Sequence, residues 1–317
     1  ASNDVNMINL AKAQGSSYLQ AVGLTMKVLF MSNLTDIYGD IPYKEAFKAE
    51  EGIKQPVFDS QESVYQQMCA ELEEANRIYA SQPYVNEKNR KLDGMYNFDM
   101  AKWRKFNNSL YLRLLCRISG RQETIVDGTH NVAQKMAEIV SSPETYPVFE
   151  ANEDNATVRY TGIAPYTSEF DNANYTESSF TTGSYKLTEQ MIKMMVIKDA
   201  TNANVDLYTD PRLPIIGRKK REYWAGTIAG AAMGEESNNG DKNAAYLNYK
   251  VLCRNNSDEW FMDYAEVEFI LAEAALKGLI PGGEAVAKAH YEKAITASLQ
   301  KWSDFASPVD PTLAITA

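Results

Sequence analysis

Carboxylates are the residues of this sequence with the clearest capacity for chemistry, and they occur in two groups. Asp36 and Asp40 stand four positions apart, and Glu266, Glu268 and Glu273 lie close together further along the chain. Glycoside hydrolysis requires two carboxyl groups a few ångströms apart, one of them with a raised pKa. Each group therefore raises the question of a catalytic or metal-binding site.

The residues around both groups favour a structural role. Gly39 and Pro42 break a helix, so Asp36 belongs to a turn, where an aspartate bonds backbone N–H groups or caps the next element. The glutamates share one segment whose apolar face builds the core, and Glu266 and Glu273 can pair with basic neighbours. We therefore predict no catalytic residue and no enzyme activity.

Metal-ligating residues are too few and too scattered to predict a metal site. Cys69, Cys116 and Cys253 are never spaced as C-x-x-C, and His130 and His290 are far apart. Each cysteine lies in or beside an apolar stretch, where a free cysteine behaves as a small hydrophobic side chain. The chain also lacks a phosphate-cradling glycine loop and a dinucleotide fingerprint. We predict neither a metal nor a cofactor.

Aromatic residues in polar stretches are the best candidates for binding a ligand. Sugar rings present apolar C–H faces that stack on exposed aromatic rings, while neighbouring polar side chains bond the hydroxyl groups. The predicted ligand-binding residues are Trp224, Tyr223, Tyr175 and Tyr84. Tyr223 and Trp224 follow a basic run and precede Gly226, so we expect the backbone to turn and to present both rings. The alternative for each loop tyrosine is a buried ring that fastens its loop to the helices.

Charge and hydropathy argue against a nucleic-acid partner, an anionic membrane surface and a membrane span. The 317-residue chain carries 32 Lys and Arg against 42 Asp and Glu, a net charge of −10. This balance disfavours nucleic acid and an anionic membrane surface as electrostatic partners. The one basic run, at 218–221, indicates a solvated turn, or else a contact with an acidic sugar or an acidic partner surface. No stretch reaches the ~18–20 apolar residues of a membrane span.

The segments that carry these residues are mainly helical by their apolar periodicity. After a helical run over about 6–33, the sequence predicts helices at 61–80, 99–119, 260–278 and 285–302. Small residues in the third and Tyr and Ala in the fourth indicate a tetratricopeptide-like hairpin. Gly278 should end the third helix, with Pro281 just beyond it, and Asp59 should cap the first, with Glu62 as its capping-box partner.

The stretch from about 143 to 258 has a different composition. It is rich in Asn, Thr, Ser, Gly and Tyr, and it shows one convincing helix, near 187–198. Loops of this length in a compact protein are usually functional or disordered, and the tyrosines favour order. We expect ordered loops and short strands that form the ligand side of a single domain covering 1–317.

Six segments form an ordered pattern that extends over residues 18–302. They are D-I-Y-G-D-I-P-Y at 36–43, F-D-S-Q-E-S-V-Y at 58–65, E-L-E-E-A at 71–75, W-R-K-F-N-N-S-L-Y-L-R-L at 103–114, D-P-R-L-P at 210–214 and Y-A-E-V-E-F-I-L-A-E-A-A at 264–275. The pattern resembles the SusD/RagB family of outer-membrane nutrient-binding lipoproteins of Bacteroidetes-type bacteria. Family members are usually longer at both ends, so we expect the domain to be incomplete at both ends and to lack the lipid-bearing cysteine.

The resemblance implies a mostly α-helical, SusD-like protein of tetratricopeptide-like hairpins with a long loop-rich region. Such a protein sits at the outer membrane, facing the extracellular side, and a lipid anchor is its only link to the membrane. It delivers a glycan or oligosaccharide, or in some members a peptide, to a SusC-like TonB-dependent transporter, and it is not an enzyme.

Two other classes stay open at this stage. One is a tetratricopeptide-type adaptor that binds a protein or peptide, and the other is an all-α secreted glycoside hydrolase. An adaptor would show regular 34-residue repeats, which the irregular stretch at 143–258 does not. A hydrolase would release reducing sugar from a glycan.

Overall fold

The computed structural model describes residues 1–171, 173–182, 185–230 and 242–315. The chain divides into two compact units. The helical unit comprises Ala1–Thr157 and Trp260–Ile295, and the loop unit comprises Val158–Glu259 and Thr296–Ala317. The loop unit holds most of the stretch predicted as a loop-rich insertion at 143–258, together with the end of the chain. That all of 1–317 acts as one domain stays a prediction.

Helices account for most of the regular structure. They are α1 Ser2–Gln14, α2 Ser17–Tyr38, α3 Gln61–Ala80, α4 Glu87–Arg90, α5 Met100–Arg117, α6 Val132–Ser141, α7 Glu177–Thr182, α8 Glu189–Met195, α9 Leu213–Ile216, α10 Tyr249–Leu252, α11 Tyr264–Leu276 and α12 Gly283–Ala306. The strands are β1 Ala156–Val158, β2 Val196–Lys198, β3 Asp206–Thr209, β4 Gly217–Arg218, β5 Tyr246–Leu247 and β6 Glu259–Met262. They form two-stranded pairs, β1 with β6, β2 with β3 and β4 with β5. The predicted mostly α class is confirmed. No helix in the described part of the chain is long and apolar enough to cross a membrane.

Three predicted helices are confirmed as α3, α5 and α12, and the others differ in extent for local reasons. The run predicted over 6–33 is two helices, because Gly15 adopts a left-handed φ of 67° and ends α1. The helix predicted from 260 begins only at Tyr264, since residues 259–262 form β6. The helix predicted near 187–198 shrinks to α8 because 196–198 pairs as a strand. Gly278 has a φ of 71° just after α11, as predicted for a helix end.

The start of α3 corrects the predicted cap. Ser60, not Asp59, is the N-cap, and its side chain accepts a hydrogen bond from the Ser63 N–H. Asp59 instead accepts the backbone N–H groups of Tyr43 and Lys44 at 3.0 and 2.9 Å. Asp59 thus fastens the segment that follows α2 to the beginning of α3. The prediction that Asp36 belongs to a turn is wrong, because α2 continues to Tyr38 and ends only at Gly39, but its ion pair with Arg117 agrees with a structural role.

Helix α5 is the centre of the helical unit, where it packs against α2, α3, α6 and α11. Its apolar side chains are buried all round, as the sequence predicts for a central helix. Buried polar groups on such a helix need partners, and they have them. Asn107 accepts from the Thr25 hydroxyl at 2.9 Å. Arg113 forms a two-pronged ion pair with Glu266, at 2.5 and 2.6 Å, and Arg117 pairs with Asp36.

Helices α11 and α12 face each other as the predicted hairpin within the helical unit. His290 Nδ1 lies 2.6 Å from the buried Glu268 carboxylate, and the rings of Phe269 and Tyr291 meet edge to face with centroids 5.6 Å apart. Glu266, Glu268 and Glu273 are therefore all paired, since Glu273 also binds Lys277. These contacts support the structural interpretation of the three glutamates.

Close packing of α11 gives a stability prediction at Ala274, which is 1% exposed. Ala274→Leu adds three carbon atoms where no room exists, so it should destabilise the helical unit by about 1–3 kcal/mol. Urea denaturation followed by circular dichroism measures the change. Ala287→Leu, at a position that is 7% exposed on α12, tests the facing side of the hairpin. An unchanged unfolding midpoint for Ala274→Leu would mean that α11 is not packed as described.

Among the described residues of the loop unit, apolar side chains pack in small clusters. One is built from Leu187, Ile192, Val196, Leu213, Trp224 and Ala245. The other joins Ile215 and Val251 to Ala306, the last residue of α12. Strands β2 and β3 lie beside the first cluster as an antiparallel hairpin with a bulge, where Leu207 is the extra residue between the pairs Ile197–Tyr208 and Lys198–Asp206.

Candidate functional site

A cleft of about 600 Å³ in the loop unit contains two of the predicted binding residues, Tyr223 and Trp224. Apolar side chains from α8, β2 and the segment after Trp224 form one part of its lining, including Ile192, Val196 and Ile228. The other part is polar and comprises Glu189, Lys193, Lys198 and Asn204. An aromatic ring, an apolar wall and several hydrogen-bonding groups thus meet in one concave surface, which is the usual composition of a small-molecule site.

Close backbone approach brings the 223–228 segment to the start of α8. The Thr227 N–H donates to the Leu187 carbonyl at 2.9 Å, and the Thr227 carbonyl accepts the Glu189 N–H at 2.8 Å, so Thr227 lies beside Thr188. A Cβ atom at Gly226 would lie 2.4 Å from the Glu189 nitrogen. Only glycine fits at position 226 without displacing that backbone. Gly226, which the sequence indicates as a turn position, is therefore required where the 223–228 segment meets α8 in the cleft lining.

Asp206 fixes the Tyr223–Trp224 pair to the β2–β3 hairpin. The hairpin register sets Asp206 opposite Lys198, whose Nζ lies 2.6 Å from Asp206 Oδ1. Oδ2 of the same carboxylate lies 2.8 Å from Lys219 Nζ and accepts the Trp224 N–H at 3.0 Å. Lys198 also donates to the Trp224 carbonyl at 2.5 Å. We call these four residues with Tyr223 the Asp206 network.

The charge of Asp206 is stabilised by this network. Burial opposes ionisation, but hydrogen bonds from Lys198, Lys219 and the Trp224 N–H outweigh it and hold the pKa of Asp206 below its ordinary value. A carboxylate with a lowered pKa contributes stability above its unfolded pKa of about 4, and this contribution is lost as the pH falls below that value.

The two adjacent aromatic residues have different environments. Tyr223 is partly exposed in the cleft, and Lys198 Nζ lies 5.2 Å from its ring centroid. Trp224 is only 3% exposed and belongs to the first apolar cluster. The expectation that both rings are presented to solvent is thus wrong for Trp224. Burying the indole among Leu213, Ile192 and its other neighbours removes a large apolar surface from water, so Trp224 is mainly a core residue although it belongs to the cleft lining.

Tyr175 lies elsewhere in the loop unit, in a cluster of aromatic rings. Its ring centroid is 5.7 to 6.1 Å from those of Phe170, Phe180 and Tyr185. Its carbonyl accepts the Tyr249 hydroxyl at 3.1 Å. These contacts are those of a ring that fastens a loop, which was the alternative for this residue. Its role in binding stays a prediction.

Tyr84 belongs to the helical unit and is 82% exposed. It follows Pro83 in the segment between α3 and α4. It does not line the Tyr223 cleft. Its exposure agrees with the sequence expectation, while its role in binding also stays a prediction.

Lys198, Asn204 and Asp206 were missed by reasoning from the sequence. The signal for them was present as two short β-prone runs, V-I-K and D-L-Y-T, separated by a polar turn. Because residues up to 198 continue the apolar spacing of α8, the pattern predicts a helix there. The cross-strand pair of opposite charges becomes visible only when the hairpin register is known.

A possible metal site in the helical unit is already filled by a side chain. Among the residues that the structure describes, Asp127, His130 and Glu138 bring their ligand atoms within 4.8 Å of one another. The Lys135 ammonium lies 2.7 Å from Asp127 and 2.6 Å from Glu138. Since this ammonium supplies the cation, we assign the group a structural role.

The chain combines a helical unit that contains a hairpin with a loop-rich unit that contains a ligand-sized cleft, and this combination defines a class of protein. Residues 2–312 match the SusD-like family model described as "starch-binding associating with outer membrane". The chain belongs to this family, as the sequence pattern predicts. No curated protein matches it.

Solved structures of the family share the fold. An outer-membrane protein from Bacteroides vulgatus, linked to nutrient binding, is 24% identical with a TM-score of 0.77 and matches 98% of this chain over 66% of its own length. A SusD homologue from Bacteroides fragilis is 24% identical with a TM-score of 0.74, and it matches 98% of this chain over 64% of its own length. A chitin-binding SusD homologue from Flavobacterium johnsoniae is 22% identical with a TM-score of 0.70, and it matches 94% of this chain over 56% of its own length. The chain thus spans less than two thirds of the length of each of these structures.

Proposed function

We propose that this protein binds a glycan or oligosaccharide at the cell surface through the cleft around Tyr223. The observation that carries the proposal is the composition of that cleft, with a partly exposed tyrosine beside an apolar wall and a set of amide, ammonium and carboxylate groups. Membership of a family described as starch-binding supports it. The chitin-binding relative supports a carbohydrate ligand over a peptide.

Binding in this cleft combines stacking with hydrogen bonds. The Tyr223 ring offers a face for the apolar C–H surface of a sugar, and Asn204 and Lys198 lie within the same lining to bond hydroxyl groups. Glu189 and Lys193 already form a 2.7 Å ion pair, so they offer polar atoms without a net charge. A few such contacts give micromolar to millimolar affinity, or roughly −4 to −8 kcal/mol. The depressed pKa of Asp206 keeps the network charged at neutral pH, so affinity should be flat from pH 6 to 8.

The wider role follows from the family. We propose that the protein is lipid-anchored at the outer membrane, faces outward and passes its ligand to a SusC-like TonB-dependent transporter without chemical conversion. Paired glutamates on α11 and the absence of a free carboxylate pair there support binding over hydrolysis.

Tyr175 and Tyr84 are further candidates for ligand contacts. Recovery of a large outer-membrane protein with this one after detergent extraction would test the partnership.

Tyr223→Ala tests the cleft. It should weaken binding of a maltooligosaccharide or chitooligosaccharide about tenfold or more, a loss of at least ~1.4 kcal/mol, because the stacking face is removed. Isothermal titration calorimetry with both oligosaccharides measures this. The matched control is Tyr208→Ala, which removes a 55% exposed tyrosine of β3 outside the cleft lining and should leave binding unchanged. Equal affinities for Tyr223→Ala and the unaltered protein would exclude this cleft, and release of reducing sugar would contradict the non-enzymatic role.

A further inference from the structure

A second cleft adjoins the first in the loop unit, with Trp224 in the lining of both. It measures about 580 Å³ and is lined by Arg218, Lys219, Tyr246 and Asp310 among others. Whereas the Tyr223 cleft has an apolar wall, this one receives side chains from the basic run at 218–221. Lys219 Nζ lies 5.5 Å from the centroid of the Trp224 ring.

The positive charges of the second cleft exceed its negative ones. Arg218 Nε donates to the Asn248 side-chain oxygen at 3.0 Å, and no carboxylate of the described residues lies within salt-bridge distance of this guanidinium. Asp206 is shared by Lys198 and Lys219, so those three groups together keep one positive charge. Both features place uncompensated cations at the cleft of a protein whose net charge is −10.

Asp310, the acidic residue in the lining, does not cancel that charge. Its Oδ2 lies 3.0 Å from Lys250 Nζ, and its Oδ1 accepts the backbone N–H of Thr312 at 3.2 Å and the hydroxyl at 2.6 Å. Hydrogen bonds from Thr312 and Lys250 lower the pKa of Asp310 to about 2. The Asp310–Lys250 pair is therefore neutral, and among the described residues the charge of Arg218 in this lining has no carboxylate partner.

We propose that this second cleft binds the anionic group, a carboxylate or a sulfate, of an acidic glycan whose neighbouring sugar lies in the Tyr223 cleft. The proposal rests on the proposed function, because it assigns the ligand class of the same binding surface. A guanidinium with unused N–H groups matches a carboxylate or sulfate oxygen pair in geometry. Since the protein as a whole repels anions, selection for acidic sugars occurs at short range and weakens as salt is added.

The test compares charged and uncharged ligands. The probes are an oligogalacturonate, a sulfated chondroitin oligosaccharide and a maltooligosaccharide of matched length, each titrated calorimetrically at 20 and 300 mM NaCl. The unaltered protein should prefer one of the acidic probes, and the preference should shrink at high salt. Arg218→Gln should lower the affinity for that acidic probe about tenfold and leave the affinity for the neutral probe unchanged. Which acidic probe responds distinguishes carboxylate from sulfate recognition.

Arg221→Gln is the control, because Arg221 belongs to the same basic run but bonds to Asn243 and does not line the cleft. It should change affinity for the acidic probes less than twofold. Equal losses for Arg218→Gln and Arg221→Gln would reduce the effect to general surface charge and overturn the proposal. Normal binding of the neutral probe with no acidic preference would overturn it while the glycan-binding function stands. Binding of none of the probes would reject both.

Discussion

Trp224→Ala should destabilise the loop unit by about 3–5 kcal/mol, the range for deleting a fully buried tryptophan or phenylalanine side chain. The indole is 3% exposed and sits in the cluster with Leu187, Leu213 and Ala245. Its removal leaves a cavity that the surrounding side chains can fill only in part. This expectation differs from the one drawn from the sequence, in which the backbone presents the Trp224 ring to a ligand.

Urea denaturation measures the loss, with Trp224→Phe as the graded variant. Phenylalanine refills most of the cavity, so its cost should be clearly smaller than that of alanine. Tyr223→Ala is the matched control, since its partly exposed ring belongs to the cleft and its loss should cost binding rather than stability. A melting temperature unchanged by Trp224→Ala would show that the ring is solvent-exposed in solution.

Lys135→Met has the second largest expected effect, about 3–5 kcal/mol of lost stability at pH 7. The Lys135 side chain is 3% exposed, and its ammonium lies 2.6 to 2.8 Å from the carboxylates of Glu138, Asp127 and Glu73. Methionine preserves the length and apolar stem of the side chain but leaves three carboxylates facing one another. Their repulsion, added to incomplete solvation, is the source of the loss.

The pH dependence identifies this mechanism. Burial raises the pKa of Asp127, but hydrogen bonds from Lys135 and His130 outweigh it and hold that pKa well below its ordinary value. Such a group contributes stability above its unfolded pKa of about 4 and loses the contribution at lower pH. Without Lys135 the carboxylates take up protons more readily. The difference between the two proteins should therefore be greatest at pH 7 and shrink towards pH 4.

Urea titrations at pH 7 and pH 4.5 measure that difference. The control is Lys288→Met, which removes one partner of the exposed Lys288–Glu292 pair at 3.8 Å. Exposed pairs contribute about 0–1 kcal/mol, so the control should change little at either pH. An equal cost for Lys135→Met at both pH values would attribute the loss to packing rather than to charge.

Local sequence patterns were sufficient to predict α3 and α5 of the helical unit, but not α6 or the division of the first run into α1 and α2. The stripe of Val64, Met68 and Leu72 defines α3, and the apolar residues all round α5 indicate its central position. Such patterns are local, because a helix buries side chains three and four positions apart. The misplaced start of α11 and the excess length predicted for α8 have one cause. A strand of three or four residues has too few positions to establish its own period.

The candidate site was predicted only in part. The sequence of Tyr223, Trp224 and Gly226 indicated a segment that lines the cleft, because a glycine after a basic run is typical of a turn. Which ring would be buried depends on partners from distant segments, such as Leu187 and Leu213, that no local pattern reveals. The Lys198–Asp206 contact likewise depends on strand register, which is a tertiary property.

The bulge at Leu207 has a consequence for the solubility of the protein. Ile197, Leu207 and Tyr208 are 61%, 62% and 55% exposed on a two-stranded sheet, in which each strand has an outer edge. Flat apolar edges of this kind recruit strands from other molecules and begin aggregation. A bulge interrupts the regular spacing of N–H and C=O groups and increases the local twist. The irregular hairpin can therefore keep apolar side chains beside the cleft while offering a poor template for β-sheet extension between molecules at high concentration.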